Sequence, residues 1–208
     1  NQRLLQIQKL QSPQTWEDLA HPQYFGNISN ADPRRSSSYT TMNIIIQQAL
    51  GWQEGWKTLY AIAGNTKKFS HSSSDPIKSV TSGETTATFA IDYFAYSKIN
   101  DLGRENLSFI LPKNKTIINS DPISILVGAP NLEPANHFIN FLLDSETQKM
   151  FLLPQGTPGG PVMTNLSRMS INPMSYLETE GKRLNPVNPF QLNLSSFVLD
   201  INRVMNLQ

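Results

Sequence analysis

Apolar positions recur at helical spacing in several stretches of the chain. Leu4, Leu5, Ile7 and Leu10 form such a stripe over residues 1–10, and Ser12 followed by Pro13 ends it. Thr15 and Asp18 then stand three apart, the spacing at which a hydroxyl and a carboxylate cap a helix start reciprocally; Pro22 closes that short helix. A brief strand is expected at Asn27, Ile28 and Ser29. After Asp32-Pro33, Met42, Ile45, Ile46 and Ala49 predict a long helix ended by Gly51. A second helix over 52–63 carries Trp56, Leu59, Tyr60 and Ala63 on one side and stops at Gly64.

The middle of the chain alternates extended and helical patterns. Lys68, Phe69 and Ser70 read as extended, Asp75-Pro76 as a cap with proline in the first turn, and Gly83 as a terminator. Strands are expected over 86–91, 108–111 and 123–127, where β-branched and aromatic residues concentrate. Pro134 opens a helix predicted to bury Ala135, Phe138, Ile139, Leu142 and Leu143, and Ser145 caps another running to Leu153. Residues 154–161, rich in Pro and Gly, must be irregular. Helical spacing returns only over 195–205. Strands alternating with helices imply an α/β layered fold with a mostly parallel sheet.

Charge and composition narrow the function. The 208 residues carry 17 Lys+Arg against 16 Asp+Glu, a net charge of +1. Nucleic-acid binding needs a clustered positive excess, so it is not expected. The absence of cysteine removes disulfides, thiol nucleophiles and cysteine-ligated metals, and suits an oxidising compartment. No apolar run reaches the roughly 18–20 residues that span a bilayer. The chain begins at Asn1 inside a helical pattern, without a basic-then-apolar export segment, and is read as a piece of a longer product.

Catalytic constellations are not visible. There is no Gly-rich phosphate loop, nucleophile elbow or His-Glu-x-x-His motif, so no enzymatic activity and no cofactor or metal is expected. His21 and His71 read as solvated, and His137 as a partly buried structural residue. Trp16, Trp52 and Trp56 read as packing residues. Two segments look suited to anions. Ser36, Ser37 and Ser38, after Arg34 and Arg35, open a long helix whose first N–H groups lack internal acceptors and whose dipole favours negative charge. Ser72, Ser73 and Ser74 precede the next predicted helix in the same manner. Asp92 and Tyr93 follow the predicted strand 86–91, at the strand end where α/β sheets place ligands. Phe94 and Tyr96 read as core.

A longer pattern carries a resemblance. Pro13, Thr15, Trp16, Asp18, Leu19, Pro22, Tyr24, Gly26, Ile28, Asp32, Pro33 and Ser36 stand at a spacing that resembles the bacterial extracellular solute-binding proteins. This branch of the family includes ferric-ion, thiamine, polyamine and sugar-phosphate binders. The likeness continues through Ser82, Gly83 and Glu84, Gly128 to Asn131, Phe138 to Gln148, and Asn188, Pro189 and Phe190. It implies the two-lobed, type 2 periplasmic-binding fold, with residues 1–106 completing the second lobe. Residues 107–208 would return across the hinge and pack helices on the first lobe, whose N-terminal part would lie outside this sequence.

The resemblance also implies a function. The chain would serve, in the periplasm, as a receptor for a small anionic solute, an organic phosphate such as phosphoglycerate, like the family's phosphoglycerate-transport regulators. Its partner would be a membrane sensor kinase or a transporter. The implied ligand contacts are Ser36, Ser37, Ser38, Ser72, Ser73, Ser74, Asp92 and Tyr93. The adjacent tyrosine pair of many ferric-ion binders is missing, since Tyr93 and Tyr96 are three apart. An uptake subunit for ferric ion or another solute is therefore the second expectation. A signalling protein that binds no small ligand is the third.

Overall fold

A computed structural model describes residues 1–192. The helix expected over 195–205 lies outside the described residues. The chain divides into two compact units, Asn1–Ile117 and Ile118–Leu192.

The first unit is built on a small parallel sheet. Its elements run α1 (Gln2–Gln8), α2 (Trp16–Leu19), β1 (Ile28–Ala31), α3 (Ser37–Leu50), α4 (Trp52–Asn65), β2 (Thr66–Ser70), α5 (Asp75–Thr81), β3 (Ala87–Thr88) and α6 (Asp92–Leu102). The strand order is β2-β1-β3, with both pairings parallel and a register shift in β1 between Ile28 and Ser29. Side chains alternate across β1. Ser29 turns to α5, where its Oγ donates to Pro76 O at 3.1 Å, while Asn30 donates to Thr66 Oγ1, which in turn donates to Ile62 O of α4. Helices therefore cover both faces of the sheet, the α/β layering that the alternation implied.

Tyr24, Ile28, Tyr39, Ile46, Leu59, Ile62 and Phe89 form the centre of the core. Helix α2 has the expected capping box: Thr15 Oγ1 accepts from Asp18 N, and Asp18 Oδ2 accepts from Thr15 N at 2.8 Å. Trp16 fixes the return of the chain by donating from Nε1 to Lys115 O at 2.6 Å, and Lys115 pairs with Glu17.

Several sequence expectations are corrected. In α4 the buried positions are Gly55, Thr58, Leu59, Ile62 and Asn65, whereas Tyr60 and Ala63 face solvent. The helix turns this way because Gly55 lets it approach α3 closely: a Cβ there would lie 2.6 Å from Gln47 Cα. Trp52 is exposed rather than packed, stacking edge-on against Trp56, which does pack on the core. Residues 108–111 and 123–127 are not strands. Among the described residues they have no neighbouring strand to complete a ladder, and Leu126 and Val127 face solvent. The strand expected over 86–91 shortens to Ala87–Thr88.

The second unit contains α7 (Leu132–Leu143), α8 (Ser145–Met150) and α9 (Pro173–Glu178). Polar side chains hold it together. Gln148 is buried; its Nε2 donates to Leu142 O, and its Oε1 accepts from Ser170 Oγ and Ile171 N. Tyr176 OH donates to Ser170 O and accepts from Ser170 N. Lys149 bridges Glu146 of its own helix and Glu178 of α9, at 2.6 and 2.8 Å. The cap of α8 is Asp144, whose Oδ2 accepts from Glu146 N, rather than Ser145. Helix α7 has no fully buried residue: Phe138 and Leu143 are exposed, and only Ala135, Ile139 and Leu142 are half-buried. His137 is likewise exposed, 3.9 Å from Glu133 one turn before it, and is not the partly buried residue expected.

Candidate functional site

All three parallel strands point their carboxyl ends to one edge of the sheet, and every residue singled out in the sequence follows one of those ends. Ser36, Ser37 and Ser38 follow β1, Ser72, Ser73 and Ser74 follow β2, and Asp92 and Tyr93 follow β3. The connections leave central β1 toward β2 on one side and reach β3 on the other. The order reverses between β1 and β3, the topological switch point outside which open α/β sheets place ligands.

The central group is built by β1 and α3. Ser36 is the N-cap of α3; it is buried, and its Oγ accepts from Tyr39 N at 3.5 Å. Thr40 N returns to Ser36 O at 3.0 Å. Those bonds leave Ser37 and Ser38, the first two helical residues, with amides that meet no acceptor among the described residues. Ser37 is exposed and Ser38 half-buried, so the hydroxyls of this pair, not that of Ser36, are accessible.

The β2 group is more ordinary. Ser72 Oγ accepts from Ser74 N at 3.3 Å and lies 3.0 Å from Ser74 Oγ. Ser74 precedes α5 without capping it through its side chain, and Asp75 is the first helical residue, with its carboxylate on Lys78. At the β3 end, Asp92 is the first residue of α6, placing a carboxylate in the first turn. Asp92 and Tyr93 are half-buried, and the Tyr93 ring packs 4.5 Å from Phe94. Tyr96 is buried against Phe109, as expected of a core residue.

Two features of this edge were missed in the sequence. Tyr39 ties the first turn of α3 to the end of β3: its hydroxyl donates to Phe89 O at 2.6 Å and lies 3.0 Å from Thr88 Oγ1. Burial pushes that phenol well above its usual range, so it stays neutral. Asp32, the residue after β1, holds Arg34 through contacts of 2.8 to 3.2 Å, and hydrogen bonds from Arg34 bring its carboxyl down to about 2. The only sequence signal for the second was an acid and a base two apart beside a proline.

A cavity of about 660 Å³ lies in the second unit, between α8, the 154–159 loop and the turn after α9. It shares no residue with the carboxyl-edge groups. Among the described residues, no group of three or more His, Asp or Glu side chains is arranged to hold a metal, and no helix is long and apolar enough to cross a membrane.

Comparison with known proteins agrees with this architecture. The family profile for bacterial extracellular solute-binding proteins matches residues 2–171. The phosphoglycerate transport regulatory protein PgtC of Salmonella typhimurium is 29% identical over 150 residues, covering 72% of this chain and 37% of that protein. An uncharacterized protein of Haemophilus influenzae is 25% identical over 149 residues, 72% of this chain and 42% of its own. The chain thus spans about two fifths of the curated relatives it matches. Among solved structures, the periplasmic binding protein P5PA superposes with a TM-score of 0.65 at 24% identity, over 98% of this chain and 59% of its own. The periplasmic binding protein AfuA from Actinobacillus pleuropneumoniae, with exogenous fructose-6-phosphate bound, gives 0.63 at 26% identity, over 72% and 47%. The fold is that of the type 2 periplasmic binding proteins, and the chain belongs to the bacterial extracellular solute-binding proteins.

Proposed function

We propose that this chain supplies one wall of a periplasmic receptor for a small phosphorylated solute, a sugar phosphate or phosphoglycerate, serving its uptake or its sensing. One observation carries the reading: hydroxyls, open helix amides and a carboxylate converge on a single carboxyl edge, at the switch point of the sheet. The amides and hydroxyls of Ser37 and Ser38 suit an oxyanion, because the start of a helix of 14 residues adds a favourable dipole. Ser72 and Ser73 offer further hydroxyls from the neighbouring strand end. Asp92 is an acceptor suited to ligand hydroxyls, and the Tyr93 ring offers an apolar surface beside it. Support also comes from the names of two similar proteins, one a phosphoglycerate transport regulator and one solved with fructose-6-phosphate. Binding without turnover is the activity proposed.

Calorimetry with fructose 6-phosphate, 3-phosphoglycerate and unphosphorylated fructose tests the reading. Micromolar affinity requires about 8 kcal/mol. Charge-assisted hydrogen bonds contribute about 1.5–3 kcal/mol each, and association costs at least about 4 kcal/mol. The few contacts of one wall are therefore expected to bind weakly, and a protein that closes a second lobe over the ligand more tightly. Ser37→Pro, which keeps the helix but removes its first amide, is expected to weaken both phosphorylated probes. Failure of both probes to bind, or equal binding of fructose, would refute the proposal.

A further inference from the structure

The guanidinium of Arg34 is fixed in one orientation by a single carboxylate. Nε donates to Asp32 Oδ1 at 3.0 Å and Oδ2 at 3.2 Å, and Nη2 donates to Oδ2 at 2.8 Å. A guanidinium carries five N–H donors in a rigid planar fork. Asp32 occupies the Nε side of that fork. Both N–H groups of Nη1 and the second of Nη2 form an open edge, with the geometry that grips two oxygens of a phosphate at once. The side chain is 87% exposed, so that edge is reachable.

The carboxylate that holds it is itself anchored. Asp32 N donates to Ser70 O at the end of β2, at 2.8 Å, which joins this turn to the neighbouring strand. Arg34 thus stands in a hydrogen-bonded turn at the end of the central strand, where Arg35 N and Ser36 N both donate to Asp32 O, two residues before the Ser36–Ser38 start of α3. Arg35 also acts electrostatically on Asp32, so the turn keeps one net positive charge after the Asp32–Arg34 pair is formed.

We infer that Arg34 is the phosphate-selective contact of the carboxyl-edge site, gripping a phosphomonoester through its open Nη1/Nη2 edge, with Asp32 as the residue that positions it. The inference rests on the receptor reading above and specifies it: the ligand end held at β1 is a phosphomonoester, while hydroxyls lie toward Asp92.

Three variants of the protein, titrated with fructose 6-phosphate and with fructose, test it. Arg34→Lys keeps the charge but loses the fork, and is expected to weaken fructose 6-phosphate about tenfold or more. Arg34→Ala is expected to weaken it further, with unchanged circular dichroism. Asp32→Asn is the sharper test, because it adds a positive charge to the site. A simple charge effect would tighten phosphate binding, whereas loss of positioning weakens it. Weaker binding in all three supports the inference; unchanged affinity in both Arg34 variants, or tighter binding by Asp32→Asn, overturns it while leaving the receptor reading intact. If the wild-type protein binds neither fructose 6-phosphate nor 3-phosphoglycerate, both fall together.

Discussion

Tyr39 and Asp32 perform different duties at the same sheet edge, and their chemistry separates them. Tyr39 is buried and ties the first turn of α3 to the end of β3 with one hydroxyl. Tyr39→Phe removes that hydroxyl and leaves Phe89 O with Thr88 Oγ1, at 3.0 Å, as its remaining side-chain donor. The expected cost is about 1 kcal/mol, measurable as a lower urea midpoint with unchanged slope. Asp32 is half-buried beside the exposed Arg34, and its effect is read as a titration. Its folded pKa is about 2, below the ordinary value of 3.8, so the pairing favours the folded state above pH 4. That contribution is lost as the pH falls from about 4 toward 2. Carbon-detected NMR of Asp32 should show the low pKa in the native protein and a rise toward 3.8 in Arg34→Ala. An unchanged value would mean that the Arg34 hydrogen bonds are not its cause.

At the scale of elements, α3 and α4 show how small residues decide a packing that hydropathy hides. Gly55→Ala would place a methyl 2.6 Å from the backbone of Gln47. The expected destabilisation is about 1–3 kcal/mol. In the same helix Gly64 has nothing within 4 Å of its virtual Cβ. Gly64→Ala should stabilise by about 0.5–1 kcal/mol. Parallel thermal melts of the two variants would check the contrast, and equal effects would contradict the close approach at Gly55. This pair also explains what the sequence could and could not reveal. The Thr15–Asp18 cap was legible because its chemistry is local. The buried face of α4 was not, because Gly55, Thr58 and Asn65 carry no apolar signal, while Tyr60 carries one and faces water. The segments 108–111 and 123–127 look like strands by composition, yet a strand exists only with a partner, and pairing is not written in any short window. The candidate site was legible as hydroxyl-rich segments. Their gathering on one edge depended on strand order, which no single segment encodes.

For the molecule as a whole, the two units rely on different cements. The first has an aromatic and aliphatic core, whereas the second is joined by buried Gln148, Tyr176 and the Lys149 bridge to Glu146 and Glu178. Hydrogen bonds donated to both glutamates raise the pKa of Lys149, so its ammonium form is favoured on folding. Its stabilising effect is present below the ordinary lysine pKa and fades as the pH rises through the raised one. The outer strand of the sheet has a further consequence. β2 borders the order β2-β1-β3 and exposes Lys67, Lys68 and Phe69. Among the described residues no strand pairs with its outer side. Such a border is a template for adding foreign backbone, and lysines along it, Lys68 being paired with Glu84 at 2.6 Å, oppose the docking of another copy. Lys67→Val with Lys68→Thr would erase that guard, and thioflavin fluorescence at raised protein concentration should climb where the wild type stays flat. These two lysines would then be what keeps a solute-binding protein of this kind from polymerising with itself.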